Sequence, residues 1–318
     1  MKWTRRWTGE YILTGIAWSG SQFVVVAPFG VMTSPDGLTW KAMGWRQVPV
    51  VGEAGARPWN YGAHGVMWGG SQFVAVGFTQ QTQLAERRAL IVTSPDGLTW
   101  TRRSTPASVG LVRDVAWSGD KFVAVGEGPG DRFVAVGKDT TGPKFLTSPD
   151  GVTWSAQTIP ADGYLSAVTW GGSQFVAVGT QGQPRRPLPL IVTSPDGVMW
   201  TERSPPASAE SLEGVAWSGE RFVAVGTGTI LTSPDGVTWS AQSSPTHSLL
   251  SAVTWSGSQF VAVGPVIMTS PDGMIWTIRR GGDNFFDAAW SGTRFVAIGF
   301  RHRGSFATTT EGLIVTSP

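Results

Sequence analysis

The sequence predicts an all-β fold, a seven-bladed β-propeller of four-stranded antiparallel blades. Three observations predict it. The phrase W-[SG]-G-x-x-F-V recurs seven times, with its Trp at positions 18, 68, 117, 170, 217, 255 and 290. A second phrase, T-S-P-D-G-x-x-W, follows each of the first six copies, with its Trp at 40, 100, 154, 200, 239 and 276. The seventh copy of the second phrase begins at Thr316 and is completed from the other terminus, where residues 1–6 read MKWTRR, like the WTRR at 100–103. Trp3 then supplies the missing seventh Trp. A linear array gains nothing from a repeat split between its ends. A closed ring does, because the first strand locks onto the last blade.

The blades follow in chain order as residues 12–43, 64–104, 111–158, 164–204, 212–243, 249–280, and 285–318 together with 1–6, all within one propeller. Each reads as four short strands, a to d from the inside out. In the fifth, strand a is expected at Leu212 to Trp217, b at Arg221 to Gly226, c at Ile230 to Ser233 and d at Thr238 to Gln242. The b strands, of the type Phe-Val-Ala-Val-Gly, are apolar on both faces, as sheets covered on both sides require. Between a and b, a Gly before a polar residue suits a two-residue hairpin turn. Between c and d, Ser-Pro-Asp-Gly suits a type I turn within a three-residue hairpin, its Asp bonded to turn amides. The turn carboxylates are Asp36, Asp96, Asp150, Asp196, Asp235 and Asp272. No segment carries a helical apolar period.

Composition excludes several chemistries. There is no Cys, hence no disulfide, thiolate metal site or cysteine nucleophile, and the three His (His64, His247, His302) are too few for a multi-histidine centre. Neither a cofactor nor a metal is expected. A net charge of +2 does not call for nucleic acid or an acidic membrane. No apolar run approaches the 18 or so residues of a membrane helix, and no signal peptide is read in MKWTRRWTGE.

The Ser-Pro-Asp-Gly-x-Thr-Trp pattern resembles the Asp-box, or BNR-like, repeat of sialidase-like propellers, and it lies where that family carries it, between the third and fourth strands. It differs in one respect, since Asp96 and Gly97 are adjacent where the usual box has an intervening residue. The resemblance covers essentially the whole chain. It implies the propeller fold and leaves function open, because enzymes, lectin-like proteins and assembly factors share the box.

One end of the ring is expected to vary. The a–b and c–d turns repeat almost unchanged, whereas the b–c and d–a connections at the opposite end differ. Long b–c connections are expected in blade 2 (Phe78 to Ala89), blade 3 (Glu127 to Lys144), blade 4 (Thr180 to Pro189) and blade 7 (Phe300 to Gly312). The longest d–a connection, Lys41 to Ala63, holds Trp45, Trp59 and Tyr61. Arg87, Arg88, Arg185, Arg186, Arg301 and Arg303 gather in these connections. With the aromatics they outline a cationic surface suited to a sugar or a protein partner. Four residues before each first-phrase Trp stand Thr14, His64, Arg113, Ser166, Glu213, Ser251 and Phe286, expected at the channel mouth on the same end. By contrast, the paired arginines of strand d (Arg5 and Arg6, Arg102 and Arg103, Arg279 and Arg280) read as edge charge that prevents sheet-to-sheet association.

The sequence argues against an enzyme. Tyr11, Tyr61 and Tyr164 occupy no recognisable catalytic context, the arginine motif that opens sialidases is absent, and no G-x-S-x-G or H-E-x-x-H occurs. The expected role is a recognition module that presents its variable end to a glycan or protein, in a setting such as a virion tail or a cell surface. A scaffold subunit of a larger assembly is the alternative. A glycoside hydrolase or lyase built on Glu213 is the third reading.

Overall fold

In the computed structural model, residues 2–28, 30–44, 50–51, 60–80, 87–127, 144–158, 163–183, 186–303 and 309–317 are described. They form seven antiparallel-stranded sheets and, among the described residues, no helix. The innermost strands are Gly15–Trp18, Asn60–Trp68, Leu111–Trp117, Tyr164–Trp170, Leu212–Trp217, Ala252–Trp255 and Asn284–Trp290. Each packs beside the next around the ring, and the last packs beside the first. Six sheets have four strands. The sheet of blade 2 has a fifth, Val50–Val51, which runs parallel to Trp100–Arg102. Val50–Val51, from the long connection between blades 1 and 2, therefore lies against the outer edge of blade 2.

Closure takes the expected form. Thr4–Gly9 pairs antiparallel with Thr309–Ser317, from Thr4 opposite Thr316 to Gly9 opposite Gly312. Trp3 lies 6.3 Å from Phe295, and in five other blades the corresponding Phe-to-Trp separation runs from 6.1 to 6.5 Å. One hydrogen bond sets Trp3 apart. In the six Ser-Pro-Asp-Gly turns the indole Nε1 donates to the carbonyl of the turn Gly, as Trp239 does to Gly236 at 2.9 Å. The buried Nε1 of Trp3 has no partner among the described residues.

The second strands form the core. Phe222–Gly226 is buried along its whole length, as are its counterparts. The core lies between blades: Val176, Val178 and Ile191 of blade 4 pack with Val215, Phe222 and Trp239 of blade 5. Two repeated polar bonds tie this together. In six blades the residue before the first-phrase Phe donates its side chain to the carbonyl of the turn Asp in the next blade. Gln22 bonds Asp96 at 2.7 Å, Gln72 bonds Asp150 at 2.7 Å, and Arg294 bonds Asp36 at 2.7 Å. Lys121, Gln174 and Arg221 do the same for Asp196, Asp235 and Asp272. Within blades, Arg6, Arg103, Arg203 and Arg279 donate Nε to the Thr of the second phrase at 2.8–2.9 Å. Edge charge is thus only part of their role, because these arginines also bond the fourth strand to the third.

The Ser-Pro-Asp-Gly turns are wider than a three-residue hairpin. Strand c of blade 2 ends at Ser94 and strand d starts at Trp100; in blade 5 strand d starts only at Ser240, after Trp239. Side chains, rather than a tight ladder, close the turn. Asp235 Oδ1 accepts from Val237 N at 2.9 Å, from Thr238 N at 2.8 Å and from Ser233 Oγ at 3.0 Å, while Gly236 N donates to Ser233 Oγ at 2.8 Å. Gly236 takes φ +72°, a conformation that favours glycine. The amide bonds, that from Thr238 first, hold the Asp235 carboxyl below its ordinary range. Asp235→Ala is expected to destabilise the protein by about 1–3 kcal/mol at neutral pH, read from a denaturant titration. The loss should shrink toward pH 3, because stability from a depressed carboxylate is present above its ordinary pKa and lost as pH falls.

Candidate functional site

The inner strands are not regular. In five of them the register slips by one residue, at His64, Arg113, Ser166, Glu213 and Phe286. Each is a β-bulge, which bends the strand and re-aims a side chain. In these five blades the Gly that ends strand b makes room for it. A Cβ on Gly226 would lie 1.9 Å from the Ser211 carbonyl oxygen, and one on Gly77, Gly126, Gly179 or Gly299 would lie 1.9–2.0 Å from the matching carbonyl. Blade 1 has Ala27 at this position, and its inner strand pairs without a bulge.

All seven residues four places before the first-phrase Trp line one central cavity of about 430 Å³, at the end of the ring that carries the b–c connections. Their chemistry divides around the wall. Blades 2 to 5 supply His64, Arg113, Ser166 and Glu213. Blade 7 supplies Phe286, blades 6 and 1 supply Ser251 and Thr14, and Leu249 and Ile12 add apolar surface beside them. Phe286, Ile12 and Leu249 are 37–42% exposed.

The ionisable groups are strongly perturbed. Asp114 and Asp287, one position further in, reach the cavity wall, yet their carboxylates are enclosed. Asp114 Oδ2 accepts from Val168 N of blade 4 at 2.9 Å, and its Oδ1 from Val115 N at 2.8 Å. Asp287 Oδ2 accepts from Ile16 N of blade 1 at 3.0 Å, and its Oδ1 from Ala288 N at 2.7 Å. Each therefore bridges adjacent inner strands. At the same position Gly15 and Gly214 leave no such space, since a Cβ there would meet backbone of the next blade at 2.5 and 2.8 Å. Burial pushes the Asp114 carboxyl up to about 6 and the Asp287 carboxyl up to about 7, against the pull of these amides; the Asp114 charge adds to the rise at Asp287. Burial likewise raises Glu213, and it lowers His64 to about 4, with Arg113 and Arg87 contributing. His64 is thus a neutral imidazole at physiological pH.

Arg113 is already engaged. Its guanidinium forms a short ion pair with Glu127 and lies 5.0 Å from the Tyr164 ring centroid. Ser166 Oγ is buried beside Glu213 without a partner of normal hydrogen-bond geometry.

The raised Asp287 carboxyl has a measurable consequence. A folded-state pKa above the unfolded one favours folding at low pH, and that contribution is lost as pH rises through the folded value. The difference in melting temperature between Asp287→Asn and the parent is therefore expected to move in favour of the variant between pH 4 and 7 and to level off above. A constant difference across that range would contradict the assignment.

Among the described residues, the b–c connections of blades 2, 4 and 7 extend the paired strands b and c. Strand pairing continues to Thr79 opposite Arg88, Gln183 opposite Arg186, and Arg303 opposite Thr309. Of the predicted surface residues, Arg87 lies over the Phe78 ring at 4.7 Å, and Phe78 packs 5.7 Å from His64 at the cavity rim. Arg88 is exposed. Arg301 instead donates from Nη2 and Nε to one oxygen, Oε2, of Glu311 on the paired strand, at 2.9 and 3.1 Å, and does not line the cavity. Tyr61, Arg186 and Arg303 have defined strand positions. Trp45, Trp59 and Arg185 lie outside the described residues, as does the repeated Arg-Phe-Val-Ala-Val-Gly at 132–137. Sequence reasoning missed Glu127, the partner of Arg113, although a carboxylate directly after the Gly of one strand b alone was a visible departure. Among the described residues no cluster of three or more His, Asp or Glu is placed to hold a metal ion.

No protein-family model matches the chain, and no curated protein sequence is significantly similar to it. Solved structures are. YCF48 from Cyanidioschyzon merolae superposes with a TM-score of 0.65 at 14% identity, over 99% of this chain and 98% of that one. Virginiamycin B lyase from Staphylococcus aureus gives 0.69 at 9% identity, over 100% and 99%. Acylaminoacyl peptidase from Pyrococcus horikoshii gives 0.52 at 10% identity, over 91% of this chain and 49% of that one. At these identities the likeness carries the fold alone: this chain is a seven-bladed β-propeller.

Proposed function

We propose that this protein is a non-enzymatic recognition module that engages a glycan or protein surface with the b–c end of the ring, around the mouth of the central cavity. One observation carries the reading. Seven blades that repeat the same two phrases carry six different residue types at one equivalent inner-strand position, and all seven of those side chains line the same cavity. A ring built only for stability has no need to place His, Arg, Ser, Glu and Phe at equivalent bulges. The extended strands b and c of blades 2, 4 and 7 rise around this mouth and enlarge the surface available to a partner. The Ser-Pro-Asp-Gly turns, which resemble the Asp-box, serve the scaffold in this reading.

A second reading, docking into a larger assembly through the opposite end, has its own support. There the turn residues Met199 and Ile275 are each 72% exposed, with Leu38, Val152, Val198, Val237 and Met274 around the same face. Glycan and protein arrays probed with the parent protein, a cavity variant (His64→Ala with Phe286→Ala) and a turn-face variant (Met199→Asp with Ile275→Asp) separate the two. The recognition reading expects retention to fall at least tenfold in the cavity variant alone. Loss in the turn-face variant alone assigns the contact to the other end.

A further inference from the structure

The charge balance of the cavity selects among ligands. Three carboxylates reach its wall, Asp114, Glu213 and Asp287, against one guanidinium, Arg113. That guanidinium is paired with Glu127 and stacked on Tyr164. His64 is neutral, and Arg87 sits outside the wall, over Phe78 at the rim. The cavity thus carries net negative charge with no free cation among its described lining residues. Glu213 is the carboxylate best placed to meet a ligand. Asp114 and Asp287 each hold two backbone amides, whereas Glu213 holds none among the described bonds and has Ser166 beside it, with the Arg113 charge, itself paired to Glu127, near by.

Ser166 Oγ is the second pointer. It is buried at the wall with no partner of normal geometry, next to a carboxylate. A donor of several N–H groups satisfies both oxygens at once, as an ammonium does. Further round the wall, Phe286, Leu249 and Ile12 present exposed apolar surface, and Phe286 packs at a tilt against Phe300 at 5.3 Å. Apolar side chains exposed around a concave mouth are a ready seat for a hydrocarbon or aromatic body, and an aromatic face also attracts a cation.

We propose that the central cavity binds an organic cation, an ammonium group on an apolar body, with the ammonium against Glu213 and Ser166 and the apolar body against Phe286, Leu249 and Ile12. The proposal rests on the recognition reading above and names the chemistry that its cavity takes. The group bound can be a free amine or an amino-bearing residue at the tip of a larger partner. The charge requirement is the same in both cases.

The test uses three probes of one shape: 2-phenylethylammonium, neutral 2-phenylethanol and anionic 3-phenylpropanoate. Each is titrated into the full chain at pH 7.5 by isothermal calorimetry, and its position is read from protein-to-ligand saturation transfer. The ammonium probe is expected to bind, and the other two to bind at least tenfold more weakly. Glu213→Gln should weaken the ammonium probe about tenfold or more, while Glu213→Asp recovers part of the loss. A melting curve for each variant verifies that it folds. Equal or tighter binding of the neutral or anionic probe, or ammonium binding untouched by Glu213→Gln, overturns the cation assignment and leaves the cavity a ligand site. Binding of none of the three also overturns it. The recognition reading then stands or falls separately, on whether array retention still depends on His64 and Phe286.

Discussion

Gly226→Ala is expected to destabilise the ring by about 3 kcal/mol and to disorganise the cavity at the same time. The added methyl would stand 1.9 Å from the Ser211 carbonyl oxygen and 2.9 Å from Leu212 Cα, both backbone atoms that cannot rotate away. Only two responses are open: strand b moves off strand a, or the bulge between Leu212 and Gly214 irons out. The second swings Glu213 away from the cavity, because a one-residue change of register reverses the face to which each side chain points. The prediction is thus double. A denaturant titration should show the loss of stability, and whatever retention the parent shows on an array should fall with it. Gly20→Ala is the control. This glycine has a positive φ of 96° in an a–b turn, but nothing lies within 4 Å of its Cβ position, so it should lower stability by about 1 kcal/mol without touching the cavity. Equal effects at the two glycines would show that position 226 needs no special space.

Removing residues 1–9 is expected to have the larger effect on folding. The deletion takes away the strand Thr4–Gly9 and with it Trp3, which is buried against Phe295. Loss of a buried Trp alone costs about 3–5 kcal/mol. The strand Thr309–Ser317, whose Leu313, Ile314 and Val315 are fully buried, would become a long apolar edge. Such edges pair with other chains. Light scattering after gel filtration should therefore show the truncated chain as aggregates or oligomers, with a melting temperature well below that of the parent. A monomer of unchanged melting temperature would contradict closure as the source of stability.

Much of this was legible in the chain itself. The two Trp phrases specify seven blades, and MKWTRR at one end with Thr-Ser-Pro at the other specifies how they close, because each motif has a geometric job that any copy must perform. The residues four before the first-phrase Trp were legible as a set for the same reason: equivalent positions in a closed ring face a common axis. What was not legible depends on pairs of residues far apart in sequence. Nothing local to Arg301 reveals that Glu311 pairs with it, and nothing in the Val-Pro-Val-Val stretch reveals that Val50–Val51 runs out to the edge of blade 2. The b–c connections of blades 2, 4 and 7 look like loops from end to end, since their Gln, Arg and Pro residues follow no alternating pattern; cross-strand pairing nonetheless carries strand b to Gln80, Gln183 and Arg303. The bulges left a partial trace. Glycine ends strand b in all five bulged blades, but also in blade 6, whose inner strand, like that of the alanine blade, pairs without a bulge.

The central claim is that the b–c end of the ring, around the cavity mouth, is the surface that meets a partner. Hydrogen–deuterium exchange of the protein with and without a partner retained on the arrays tests it most directly. The account predicts slowed exchange at residues 77–80, 111–114, 164–166, 211–214 and 284–287, with the Ser-Pro-Asp-Gly turns unchanged. Protection confined to the turns at 36–39, 196–199 and 272–275 would contradict it and assign the contact to the opposite face.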